Sequence, residues 1–183
     1  MDYGSGGTVD RALVRIDNPM GAYTESIIAK EGDELFTGRF VSDFGTGPHE
    51  TALNDLGQYM YIADLDGDTA DDKVLYVDNT VIAREGSPSP VPGVNYLTVD
   101  YGVDLNNSGD YVFRARLDAD SSEDYAIIKN DQVLIREGDT LADIAGYTFT
   151  TIGSSSGPVH IDDNGNVLWY GDWDDPNTDI DSG

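Results

Sequence analysis

Two short motifs each occur three times in the chain, and this internal repetition constrains the fold more than any other feature of the sequence. The first, LNDLGQYMYIADLD at residues 53–66, returns as LNNSGDYVFRARLD at 105–118 and as IDDNGNVLWYGDWD at 161–174. The second, IAKEGD at 28–33, returns as IAREGS at 82–87 and as LIREGD at 134–139. The glycines of the first motif recur after 52 and 56 residues. The chain is therefore a tandem repeat with units of roughly 50 residues.

Each unit predicts four short strands. Strand A (YMYIA, YVFRA or VLWYG) is almost continuously apolar and aromatic, as expected of a strand that is covered on both faces. Strand B is KVLYV, YAIIK or, near the N-terminus, RALVRI; strand C is TVIAR or QVLIR; strand D is NYLTVDY or YTFTTI. The glycine after each Lys/Arg-Glu pair indicates a turn residue with positive φ.

Four short strands in a unit of this length are typical of a β-propeller blade. The sequence therefore predicts an all-β fold of propeller-like repeats, with a β-sandwich as the alternative. We assign residues 1–183 to a single repeat domain. It consists of a partial unit at 1–52, full units at 53–104 and 105–160, and a partial unit at 161–183.

The two partial units are complementary. The first begins at strand B and the last ends just after strand A, so together they supply one further blade. Closed propellers have about four to eight blades, and three blade equivalents should not close alone. We therefore expect a homo-oligomer or filament, joined by pairing 167–171 of one copy with 11–16 of another. The predicted register places Leu168 and Trp169 beside Leu13 and Val14, as Met60 and Tyr61 lie beside Leu75 and Tyr76.

Composition excludes several classes of function. The chain has 35 Asp and Glu against 10 Lys and Arg, a formal net charge of −25, which repels nucleic acids and anionic membranes. It has no cysteine, and so no disulfide, thiol nucleophile or cysteine-based zinc site. No apolar run approaches the roughly 18 residues that a membrane helix needs. Nucleic-acid binding and membrane insertion are not expected, and cations are the natural counter-species.

The loop between strands A and B of the first full unit is a candidate calcium site. Residues 64–72 read DLDGDTADD, with carboxylates at positions one, three, five and nine: Asp64, Asp66, Asp68 and Asp72. Calcium takes six to eight oxygen ligands at about 2.3–2.6 Å in a flexible arrangement, which such a loop can supply. The alternative is a solvated acidic turn, because aspartate is also a good turn former.

Two resemblances support this interpretation. Residues 64–75, DLDGDTADDKVL, resemble the calcium loop of FG-GAP repeats, the blades of integrin-α-type propellers. That resemblance implies a Ca²⁺ ion bound between strands A and B. The wider arrangement, LNxxG followed by strand, loop, strand and AREGD, resembles a family of uncharacterised secreted bacterial tandem-repeat proteins. It covers most of the chain and implies an extracellular location.

The other two copies of the loop depart from the calcium pattern. In the second, Arg116 stands at position one, where its guanidinium can neutralise the loop carboxylates in place of an ion. We expect weak or no calcium binding there. The third copy keeps Asp172 and Asp174 but loses position five, and its ninth position would be Asp10 from the other end of a chain. The carboxylates that Arg116 would neutralise are Asp118, Asp120 and Asp124.

The remaining candidates have structural interpretations that we prefer. Lys30, Arg84 and Arg136 share one repeat position, and we expect them to pair with aspartates between blades rather than to line an anion channel. His49 and His160 each follow a Gly-Pro turn, and nothing near them forms a catalytic triad.

These observations predict a non-enzymatic, extracellular, calcium-stabilised β-repeat module with a structural, self-assembly or adhesion role. The alternative is a lectin, in which Trp169, Tyr170 and Trp173 would stack against a glycan. A glycoside hydrolase is less favoured, because no carboxylate pair stands out among 35 acidic residues. The expected partners are other copies of the chain and a protein or glycan ligand.

Overall fold

The computed structural model describes residues 11–17, 21–44, 50–99, 102–140, 142–144, 146–153 and 157–175. Within these ranges the chain is all-β: it has strands throughout, one 3-10 turn at Ala142–Ile144 and no α-helix. One sheet curls into a partial barrel. No helix in the described ranges has the length and hydropathy needed to span a membrane.

The strands, in chain order, are β1 (Ala12–Asp17), β2 (Thr24–Lys30), β3 (Glu34–Phe36), β4 (Arg39–Phe44), β5 (Thr51–Leu53), β6 (Tyr59–Leu65), β7 (Lys73–Val77), β8 (Thr80–Arg84), β9 (Tyr96–Thr98), β10 (Val103–Leu105), β11 (Tyr111–Leu117), β12 (Tyr125–Lys129), β13 (Gln132–Arg136), β14 (Phe149–Ile152), β15 (His160–Ile161), β16 (Val167–Leu168) and β17 (Gly171–Trp173). The predicted strands A, B and C of the two full units are β6, β7 and β8, and β11, β12 and β13.

Two large antiparallel sheets form the centre of the molecule. The first large sheet has the order β3-β4-β6-β7-β8, and β5 also pairs with β6. The second large sheet has the order β10-β11-β12-β13, and β9 also pairs with β11. Both sheets pair strands A and B in the same register, with Tyr61 opposite Tyr76 and Phe113 opposite Ile128. Met60 lies opposite Val77, so the expected neighbour Leu75 is wrong for this residue.

Strand D does not belong to the sheet of its own unit. β9 pairs with β11 and β14 pairs with β17, each of which is strand A of the following unit. β4 occupies the same place beside β6. The unit boundary at 53, drawn from the sequence motif, therefore separates β4 from β6, its neighbour in the sheet, because hydrogen bonding joins D to the next A.

A short strand before each LNxxG-type turn was not predicted. β5, β10 and β15 contain only two or three residues, and each pairs with the strand after the turn. The turn needs a left-handed residue, and glycine supplies it: φ is 81° at Gly57 and 83° at Gly109. The predicted positive φ after the Lys/Arg-Glu pair is also confirmed, at 85° for Gly138.

The sheets pack face to face in chain order. One hydrophobic cluster joins β1 and β2 to the first large sheet, a second joins the two large sheets, and a third joins the second large sheet to the C-terminal strands. Tyr61 and Met60 belong to different clusters because neighbouring residues of a strand point to opposite faces. This double coverage is the reason that strand A is apolar along almost its whole length.

Both terminal sheets are smaller than the central two. β1 pairs only with β2 among the described strands, and the C-terminal strands form two short pairs, β15 with β16 and β14 with β17. The third copy of strand A, predicted as one strand at 167–171, is interrupted at residues 169 and 170. It lacks the adjoining strand B that runs beside β6 and β11, so its hydrogen bonding is incomplete within the described ranges.

Candidate functional site

The predicted calcium loop is a compact turn between β6 and β7. The amide of Leu65 donates to the carbonyl of Asp72 (2.9 Å), and the amide of Asp71 donates to the carbonyl of Asp68 (3.2 Å). Gly67 has a φ of 109°, which favours glycine over any residue with a side chain. Asp64 lies in β6 and Asp66 follows its last residue, so the strand fixes where the loop begins.

An arginine that the sequence interpretation did not include lies over this loop. Arg39 of β4 donates through Nη1 to Asp71 Oδ1 (2.8 Å) and through Nε to the carbonyl of Asp66. Arg84 of β8 donates to the other Asp71 oxygen, Oδ2 (2.6 Å). The hydrogen bond from Arg39 holds the pKa of Asp71 below its usual value, with a further contribution from the charge of Arg84. Two cations therefore already neutralise this part of the loop.

The four predicted ligands lie in one loop, and two of their side chains accept hydrogen bonds from backbone amides. Asp66 Oδ1 accepts from the amide of Phe40 (2.9 Å), and Asp68 Oδ1 accepts from the amide of Ala70 (3.0 Å). Within the described ranges, no group of three or more His, Cys, Asp or Glu side chains has the arrangement of a metal site. Ca²⁺ at Asp64, Asp66, Asp68 and Asp72 stays a prediction.

In the other two copies of the loop, acidic side chains bind groups of the protein itself. In the second copy, Arg116 Nε donates to Asp124 Oδ2 (2.8 Å), which is the pairing expected of that arginine. In the third copy, Asp174 accepts from the amide and hydroxyl of Thr148 (2.7 and 3.2 Å). The expected meeting of Asp10 with Asp172 and Asp174 involves a residue outside the described ranges.

Beneath each of the first two loops lies a pair of carboxyl groups that the sequence interpretation did not find. Glu137 and Asp124 are both buried, and Glu137 accepts from the amides of Tyr125 (3.1 Å) and Ile152 (3.3 Å). Burial is the largest cause that raises the pKa of Glu137, to about 7, and the neighbouring Asp124 raises it further. Glu85 is also buried, accepts from the amide of Lys73 (3.2 Å) and lies beside Asp72, and its pKa is raised to about 7, again mainly through burial. The only sequence signal was the repeated glutamate of the AREG motif.

The second unexpected feature is a hydrogen-bonded ladder that joins the three LNxxG-type turns. Asn54 Nδ2 donates to the carbonyl of Asn106 (2.8 Å), and Asn106 Nδ2 donates to the carbonyl of Asp162 (2.8 Å). Beside it, Asn107 Nδ2 bridges the carboxylates of Asp55 (3.1 Å) and Asp163 (3.0 Å). Each rung joins one repeat to the same position of the next, so the ladder fixes the spacing of successive sheets.

The remaining predicted residues have structural roles. The basic residues of the second motif do pair with acids, as expected, but in the loops of their own unit and not between blades: Lys30 with Asp33, Arg84 with Asp71, and Arg136 with Glu123 (3.2 Å). Arg84 and Arg136 lie at the ends of C strands, next to the loop that precedes strand B of the same sheet, and Lys30 meets Asp33 in the turn after its own strand.

The predicted aromatic platform is partly internal. Trp169 and Trp173 both pack against the third hydrophobic cluster, and Trp169 meets Phe149 edge to face, with ring centroids 5.0 Å apart. His160 Nδ1 lies 3.4 Å from Asp104 Oδ2, and His49 falls outside the described residues.

Stacked antiparallel sheets, repeated motifs and a ladder from unit to unit define this chain as an all-β tandem-repeat protein. Residues 8–182 match the model of a family of unknown function, DUF7453, and the chain belongs to that family. No curated protein and no solved structure matches it.

Proposed function

We propose that the chain is a structural module of propeller-like blades that works by self-association at an extracellular surface. The face-to-face order of four successive sheets supports this, because a two-layer sandwich would have one interface and this stack has three. Tandem units that stack in this way bury apolar faces only against their neighbours. An end unit without a neighbour leaves such a face uncovered.

The observation that carries the proposal is the apolar surface at both ends of the stack. On the N-terminal sheet, Val14, Ile16 and Ile27 are exposed, and at the other end Leu168 and Tyr170 are exposed. Natural proteins rarely leave large apolar residues on open sheets and edges unless another surface covers them. Two distinct ends suggest a head-to-tail contact, which gives a ring when it closes and a filament when it does not.

Association should increase with both protein concentration and salt. The net charge of −25 makes copies repel one another, and raising the ionic strength from 0.1 to 1 M shortens the Debye length from about 10 Å to about 3 Å. We expect the apparent association constant to rise several-fold over that range. Sedimentation velocity across a concentration series at each salt would measure it, and a monomer at every concentration and salt would contradict the proposal.

Calcium binding is the second part of the proposal, supported by the one-three-five-nine spacing of the loop. We expect calcium to raise the melting temperature. A ligand at a hundred times its dissociation constant adds about 2.7 kcal/mol to the free energy of unfolding. The Asp66→Ala, Asp68→Ala double variant should lose this shift.

The structure adds a sharper comparison, because Arg39 competes for the same loop. Arg39→Gln should show a larger calcium shift than the parent, and Arg136→Gln, at an arginine that binds the second loop instead, should not. Melting in calcium and in chelator would measure each shift. An equal melting temperature of the parent in both buffers would refute the calcium site and leave self-association untouched.

A further inference from the structure

The exposure of residues that share a repeat position indicates what covers the two ends of the stack. At two repeat positions, the interior copies are buried and the terminal copies are exposed. These two positions face one another between neighbouring sheets. In strand A, the exposed fractions are 0% for Met60, 0% for Val112 and 71% for Leu168. In the short strand before the turn, they are 59% for Leu53, 5% for Leu105 and 8% for Ile161.

These two positions are partners between neighbouring sheets. Met60 of the first large sheet and Leu105 of the second belong to the same buried cluster. Val112 and Ile161 repeat that relation one sheet further on. Among the described residues, no strand A residue covers Leu53, and Leu168 covers no residue of a following sheet. Inside the stack, a residue at the position of Leu168 packs against a residue at the position of Leu53. The two exposed leucines are therefore the two partners of this repeated contact.

A groove of about 270 Å³ lies beside β1, where the described part of the N-terminal sheet includes no strand A. Its walls are β1, including Leu13 and Val14, and the strands of the first large sheet that carry Leu53 and Met60. The free edge of β1 forms one side, since β1 pairs with β2 alone among the strands described. The groove thus offers both an apolar floor and unpaired backbone groups to an added strand.

We propose that this groove receives strand A of the C-terminal unit, β16 and β17, of a second copy of the chain. This inference rests on the proposed self-association and specifies its geometry. Continuity with the interior interfaces selects the occupant, because the groove repeats the site that β6 fills on the second large sheet. Leu168 covers Leu53 of the other copy, and the joined strands complete a sheet of the order D-A-B-C.

The register follows from the two interior sheets. Asp64 pairs with Lys73 in the first large sheet, and Arg116 with Tyr125 in the second. The corresponding residues at the joint are Asp172 of one copy and Arg11 of the other, which carry opposite charges. Trp169 then lies opposite Val14, as predicted from the sequence, whereas Leu168 lies opposite Arg15.

Engineered cysteines test this register cleanly, because the chain has no cysteine of its own. Residues directly opposite in an antiparallel pair have Cβ atoms about 4.5–5.5 Å apart, close to disulfide geometry. We expect Arg11→Cys, Asp172→Cys to form a disulfide between copies on mild oxidation. The matched control, Ile16→Cys, Asp172→Cys, moves one thiol five residues, or about 16 Å, along β1 and should not.

The covalent products of oxidation distinguish the possible results. A covalent closed dimer or a ladder of covalent oligomers supports the pairing, and which of them appears separates a ring from a filament. An oligomer that sediments as expected but gives no cross-link overturns this register and leaves self-association standing. A disulfide within one chain overturns it as well. A protein that is monomeric under all conditions removes both proposals.

A second test replaces the exposed leucines and needs no cross-linking. Leu168→Asp and Leu53→Asp should each weaken association by on the order of tenfold or more, since a charge would enter an apolar contact. Leu56→Asp is the control, because Leu56 is 70% exposed but lies in a turn outside the groove. All three sites are exposed in the single chain, so circular dichroism should show unchanged folding. Equal association of Leu168→Asp and Leu56→Asp would contradict the proposal.

Discussion

Replacing Asn106 by alanine should destabilise the protein by about 3 kcal/mol. Its side chain is buried and makes three hydrogen bonds: Nδ2 donates to the carbonyl of Asp162, and Oδ1 accepts from the amides of Ser108 (3.0 Å) and Asp110 (2.9 Å). Alanine removes the side-chain partner of all three groups. In a chain of this length the melting temperature should fall by about 6–12 °C.

Asn164→Ala is the matched control for this prediction. Asn164 lies in the third copy of the same turn, where its side chain is exposed and makes only a 3.5 Å contact with Asp162. Its loss should change the free energy of unfolding by less than about 0.5 kcal/mol. Thermal and denaturant unfolding at one low protein concentration would measure both variants. Similar values for the two would show that the ladder does not stabilise the stack.

The second large effect is a loss of stability as the pH rises from about 4.5 to about 7. The pKa of Glu137 is raised from 4.5 to about 7 in the folded chain. The folded state therefore binds a proton more tightly than the unfolded state. Below pH 4.5 the side chain of Glu137 is protonated in both the folded and the unfolded state, so its burial does not lower the free energy of unfolding. As the pH rises towards 7, the unfolded state ionises first and the free energy of unfolding falls, by on the order of 2–3 kcal/mol per pair.

Glu137→Gln separates this effect from ordinary acid denaturation. Glutamine keeps the size of the side chain and carries donor hydrogens at every pH, as protonated glutamate does towards Asp124. The variant should lose about half of the slope between pH 4.5 and 7, and Glu85→Gln, Glu137→Gln should lose most of it. Glu25→Gln, at an exposed glutamate of β2, should change nothing. Parallel stability curves for the parent and the double variant would exclude buried protonation as the cause.

The charges around Glu137 define what else contributes to this titration. Asp124 is its immediate neighbour and is itself bonded to Arg116 (2.8 Å). The other contacts are backbone amides, from Tyr125 and Ile152, which favour the ionised form and oppose the effect of burial. Because burial is the largest of these causes, the pKa stays raised even with two amide donors.

The sequence by itself determined the class of secondary structure and the position of most strands. Motifs at fixed spacing required repeated units, and short apolar runs between turn residues required strands. The glycine after each Lys/Arg-Glu pair marked a residue that takes positive φ, as Gly86 and Gly138 do. The uninterrupted apolar run of strand A also predicted coverage of both faces, which the clusters around Met60 and Tyr61 confirm. All of these signals are local, and local backbone preferences generate them.

Only the tertiary structure decided which strands pair and which distant side chains meet. Strand D joins the next unit, Arg39 reaches the loop that holds Asp66 and Asp71, and Asn106 bonds a carbonyl 56 residues away. No local periodicity encodes these contacts, because they depend on how whole sheets stack. The exposure of Leu53 and Leu168 belongs to the same category. Their sequence positions are those of buried residues in the interior repeats, and the ends of the stack leave them uncovered.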